Sequence, residues 1–185
     1  MRRLLLLLAV LIAAGGLWLW MDRAPDPPPV PATATADPAW TVLDPQARCD
    51  AALTLVTHPD RWPTRCRWRT AADVLQGQSF PPPKGDPPFD EPHVEMYVAA
   101  DQSRDELAHA IAHEYGHMHH TREPDFVAAW LQARGLPADT PSEVWTEDYA
   151  EAFAAVFSPP SDQWRAPTPR PSPEALAALE AQFFS

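Results

Sequence analysis

The stretch Ser103-Arg104-Asp105-Glu106-Leu107-Ala108-His109-Ala110-Ile111-Ala112-His113-Glu114-Tyr115-Gly116-His117 decides how this chain is read. Ser103 and Glu106 have capping-box spacing: the hydroxyl can accept from the third helical N–H and the carboxylate can reach back to the cap N–H. A helix is therefore predicted from about residue 104 to 120, with Leu107, Ala110, Ile111, Glu114 and Met118 supplying much of its i, i+3, i+4 pattern. His113 and His117 then lie one turn apart on one face of the helix interior, where both imidazoles can reach a single Zn2+. Glu114 falls beside the open coordination position, the place of the general base in a zinc hydrolase.

Two imidazoles do not hold a catalytic zinc, which takes three protein ligands and keeps one position open. The third is expected on a later helix. Thr140-Pro141-Ser142-Glu143 reads as a second capping box with proline at the first helical position, and Pro159-Pro160 stop the helix after about Phe157. Glu147 and Glu151 are one turn apart there, so one can bind metal while the other accepts a hydrogen bond from the far nitrogen of a ligand imidazole. An isolated Glu-x-x-x-Glu is more often a solvated acidic face. Its place after the histidine pair, flanked by Tyr149, Phe153 and Phe157, favours a site.

His113-Glu114-x-x-His117 followed by Glu147-Asp148-Tyr149-Ala150-Glu151-Ala152-Phe153-Ala154 resembles the gluzincin class of zinc metallopeptidases. The second motif is especially similar to the metal-site helix of the anthrax lethal factor and Pro-Pro endopeptidase group. The resemblance covers residues 103–157 and implies Glu147 as the third zinc ligand, Glu151 as its outer-shell partner and a zincin-like domain. One departure stands out. The transition-state tyrosine of lethal factor precedes the glutamate helix, and residues 135–146 contain no tyrosine, which leaves Tyr97, Tyr149 and His120 as candidates for stabilising an oxyanion.

Other ligand choices fare worse. His109, His113 and His117 in a row would span about 12 Å, too far to meet one ion, so His109 is expected beside the ligands or in solvent. His119 and His120 are expected at the surface. Glu123 has the position of a metzincin third ligand, but that class turns the chain at a glycine where this sequence has His120. Cys49 and Cys66 sit in no deformylase-like motif, and helical spacing argues against Asp148 as the outer partner.

Around these motifs, Pro124 opens a helix that ends at Gly135, with Phe126, Val127, Trp130 and Leu131 as its buried stripe. A last helix from Pro173 to about Phe183 follows Ser172 and is expected to pack on the outside of the domain. Residues 93–98 alternate as a strand, a place where an extended substrate could add by β-pairing. Residues 45–57 read as helix, and the proline-rich stretch 80–88 as a surface loop. The fold expected is α+β and helix-rich with a small sheet.

The 185 residues, 45% hydrophobic, suit one core. Arg2 and Arg3 precede an apolar run from Leu4 to Met21, about 27 Å as a helix, with Trp18 and Trp20 at its far end. Residues 1–23 are read as a signal-anchor, with a cleaved signal peptide as the alternative, because no small-x-small site follows directly. Residues 24–39 form a proline-rich linker and 40–185 the domain, placed outside the cytoplasm. There Cys49 and Cys66 are expected to pair, adding about 3 kcal/mol. The net charge of −11 leaves no basic patch for nucleic acid. Together these features predict a membrane-anchored or secreted zinc metallopeptidase acting on peptide or protein substrates. The alternative is a non-catalytic zinc-binding envelope interaction domain.

Overall fold

In a computed structural model the described residues are 38–73, 75–80 and 91–184, and Asp37–Ser185 form one compact unit. The apolar run at the N-terminus and the proline-rich stretch after Phe80, expected as a surface loop, lie outside the described residues. Among those described, no helix is long and apolar enough to cross a membrane. The elements in order are α1 (Pro38–Thr41), α2 (Pro45–Leu53), β1 (Thr64–Trp68), β2 (Gly77–Phe80), β3 (His93–Val98), α3 (Arg104–His119), α4 (Pro124–Arg134), α5 (Ser142–Phe157) and α6 (Pro173–Phe183). The architecture is α+β and helix-rich, as expected.

The sheet has the order β1-β3-β2, with β1 parallel and β2 antiparallel to β3. β3 is therefore central, and both of its edges are paired. The expectation that residues 93–98 could accept an extended substrate is corrected by this order, because their backbone hydrogen bonds are already used. Val94, Met96 and Val98 alternate into the core, in one cluster with Leu107 and Ile111 of α3 and Cys49 and Ala52 of α2. The Cys49–Cys66 disulfide staples α2 to β1 across a Cα separation of 6.5 Å. Residues 54–57 leave the helix, so α2 is shorter than the reading of 45–57.

The start of the domain is anchored by Trp40, whose indole N–H donates to Gln102 O at 2.8 Å. Arg48 is buried with its guanidinium over the rings of Trp40 and Trp68, at 5.2 and 4.8 Å from their centroids, and donates to the carbonyls of Thr41, Ala99 and Ala100. A buried charge is tolerated there because carbonyls and ring faces replace its water.

α3 begins with the capping box expected: Ser103 N–H donates to Glu106 Oε2 at 2.8 Å and Glu106 N–H donates to Ser103 Oγ at 3.3 Å. α4 ends on Gly135 at φ 64°, a left-handed cap open to glycine, with Leu136 N–H returning to Leu131 O at 2.8 Å. The box expected at the start of α5 does not form. Thr140 instead closes a turn, its hydroxyl donating to Pro137 O at 2.7 Å, and Pro141 stands at the cap without a side-chain hydrogen bond. α6 lies on the outside of α5, as predicted, and inserts Leu179, while Phe184 just beyond it fills space beside Tyr149, Phe153 and Phe157.

Candidate metal centre

The site forms where α3 crosses α5, and Gly116 permits the crossing. A Cβ at position 116 would lie 2.7 Å from Ala150 Cα and 3.1 Å from Phe153 Cβ, so the backbones approach to a distance that no larger residue allows. One turn along each helix, this contact brings His113 and His117 to Glu147. His113 Nε2 lies 3.3 Å from Glu147 Oε2, His117 Nε2 lies 3.3 Å from Glu147 Oε1, and the two imidazole nitrogens are 3.1 Å apart. Each imidazole nitrogen thus meets a different oxygen of Glu147, and one ligand atom from each of the three residues lies within 4.8 Å of the others, a tripod that could hold a metal ion. The imidazoles are nearly perpendicular, at 82°, and mostly buried, while the side chain of Glu147 is 47% exposed and faces the cleft.

Behind the tripod runs a line of buried polar groups. His113 Nδ1 lies 3.1 Å from Glu151 Oε1, and neither atom has a hydrogen-bond partner elsewhere. Glu151 Oε2 is 3.3 Å from His109 Nε2, and His109 Nδ1 is 3.1 Å from Ser158 Oγ, which donates to Ala154 O at 2.7 Å. His109 is thus buried beside Glu151 and not in solvent, the first of its two expected positions. Burial pushes the His113 imidazole down, but the two glutamates outweigh it and lift its pKa to about 9. Hydrogen bonding to His113 and His117 holds the Glu147 carboxyl far below the usual carboxylate range. For Glu151, burial raises the pKa, and His109 and His113 more than reverse that.

Glu114 sits at the mouth, against β2. A Cβ on Gly77 would lie 2.9 Å from Glu114 Cγ, from Glu114 Oε1 and from Met96 Sδ, so only glycine lets the strand pass this close. Burial raises the Glu114 carboxyl, while His113, His117 and the Ser79 N–H lower it. A cleft of about 960 Å3 opens here, walled by Leu75–Ser79 on one side and by Met118, Arg122, Glu147 and Arg165 among others. β2 was not recognised in the sequence. Its signal is slight, a glycine within four residues of mixed character.

The remaining expectations sort cleanly. Asp148 points away from the tripod and is fully buried in a bidentate pair with Arg134 at 2.8 and 2.9 Å, with the Thr168 hydroxyl also on its carboxylate. Glu123 is an exposed cap residue of α4. The disulfide removes both cysteines from ligation. Tyr97 lies under Arg67, and the Tyr149 hydroxyl donates to Phe183 O at 3.3 Å, so neither lines the cleft. His120 does line it. His119 and His120 are not surface residues: both rings are half-buried among Trp145, Tyr149 and Phe153, because α3 ends under α5. Burial, reinforced by His117, pushes His120 down to about 4. No protein-family model, curated protein or solved structure matches the chain.

Proposed function

We propose that the chain is a zinc-dependent peptidase of the gluzincin type, with His113, His117 and Glu147 holding the ion, Glu151 orienting His113, and Glu114 as the base. The observation that carries this reading is that two imidazole nitrogens 3.1 Å apart each meet one oxygen of the Glu147 carboxylate at 3.3 Å, from two separate helices, beside the partly buried carboxylate of Glu114. When bound, zinc supplies Lewis acidity toward water and a carbonyl oxygen. Glu114 would take a proton on its carboxylate and return it to the departing nitrogen, and burial, which raises this carboxyl, favours its holding the proton between the two steps.

The cleft suits an extended peptide. Gln76 O accepts from Tyr97 N–H at 2.8 Å, so the alternating backbone turns Gly77 and Ser79 toward the cleft; the Ser79 N–H there meets Glu114, and the edge at Gly77 can pair with a substrate strand. Residues 1–23 are proposed as the anchor and 24–39 as the tether that hold this domain outside the cytoplasm. A non-catalytic zinc-binding domain is the second reading, favoured by one observation: no tyrosine lines the cleft among the described residues. Glu114→Gln separates the two. It is expected to bind zinc as wild type does while cleavage of an unfolded protein falls by at least a hundredfold, whereas equal and negligible cleavage by both proteins removes the peptidase reading.

A further inference from the structure

A second group of ligating side chains lies on the other face of α3. His58, Asp60 and His119 each bring one ligand atom within 4.8 Å of the others. His119 is two residues past His117, and a helical rotation of about 200° turns it away from the cleft. His58 follows α2 and is only 2% exposed, its ring packed on Phe153 and Phe157 at 4.9 and 4.6 Å and edge-on to His119 at 5.3 Å. These groups line a cavity of about 630 Å3, whose wall also includes Glu180 of α6.

The hydrogen bonding around His119 prepares it as a ligand. The Tyr149 hydroxyl donates to Phe183 O at 3.3 Å, and with its proton committed it accepts from His119 Nδ1–H at 2.9 Å. His119 Nε2 is left with a free lone pair, the arrangement in which a metal-binding histidine donates its other N–H to an oxygen. His58 Nδ1 accepts from Asp60 N–H at 3.2 Å, one long contact that ligation would exchange for a stronger metal–nitrogen bond.

We propose that His58, Asp60 and His119 bind a second divalent transition-metal ion. Two imidazoles and a carboxylate select zinc over magnesium or calcium. The ion ties the loop after α2 to the last turn of α3, the turn that carries His117, and so braces the helix end without entering the cleft.

The test is the zinc stoichiometry of the full chain in detergent after metal depletion, read by native mass spectrometry and chelator competition, with thermal unfolding in parallel. Wild type is expected to bind two ions, and His113→Gln/His117→Gln one. Asp60→Asn, a change at an exposed residue, and His119→Gln should each weaken one ion at least tenfold and leave the other. The proposal is overturned by a wild type that binds no zinc, by a single ion that His113→Gln/His117→Gln removes, or by two affinities that Asp60→Asn and His119→Gln leave unchanged. A lone ion that survives His113→Gln/His117→Gln and is lost in His119→Gln supports this site and removes the zinc reading of the cleft, so the two fail separately.

Discussion

His113 stands between two carboxylates, and in the metal-free protein that contact makes it a cation at neutral pH. Its pKa of about 9 lies above the ordinary 6.5, so the stabilisation it brings is fully present below pH 6.5 and is lost as pH rises through 9. Zinc needs the neutral ring. Its affinity should therefore climb as pH rises toward 9, with a proton released from His113 on binding, measurable by calorimetry in buffers of different ionisation enthalpy. An affinity flat between pH 6 and 9 would place the ion elsewhere. At the far end of the same polar line, His109→Leu leaves the buried Glu151 carboxylate without its second partner. Zinc affinity is expected to fall by about 10–100-fold, with the helical circular dichroism retained.

Among the elements, the contact between α3 and α5 determines whether a tripod exists at all. Gly116→Ala puts a methyl within 2.7 Å of backbone, which a rotamer change cannot relieve. The helices must part, at a cost of about 1–3 kcal/mol, and Glu147 moves away from the histidines. Chemical denaturation and zinc titration of the variant should both register the change; lowered stability with unchanged zinc affinity would mean that Glu147 does not ligate. The helices themselves were well forecast. Capping residues, proline at the first turn, glycine past the end and the apolar period act over four or five residues, which is why α3, α4 and α6 begin and end where expected. The failed cap at Thr140 marks the limit of such rules. Its hydroxyl had a competing carbonyl at Pro137, and nothing local says which partner wins.

Across the domain, the core is contributed by the helices with β3 and Cys66 of β1, and the disulfide holds its α2 and β1 side together. Reduction should cost about 3 kcal/mol and lower the unfolding midpoint by on the order of 10 °C. Zinc affinity is expected to stay unchanged, since the tripod rests on α3 and α5; scanning calorimetry and zinc titration with and without reductant check both statements. That His113 and His117 share a face, with Glu114 beside them, and that Cys49 and Cys66 pair could be read from residue type and helical spacing; spacing alone left Glu147 and Glu151 interchangeable, and the resemblance to gluzincins pointed to Glu147. Three features required the tertiary structure: the central place of β3, the role of β2 as the wall beside Glu114, and the burial of His58, His109 and His119. Each depends on segments that are distant in the chain meeting in space, and a polar side chain carries no local mark of whether it will face water or another helix.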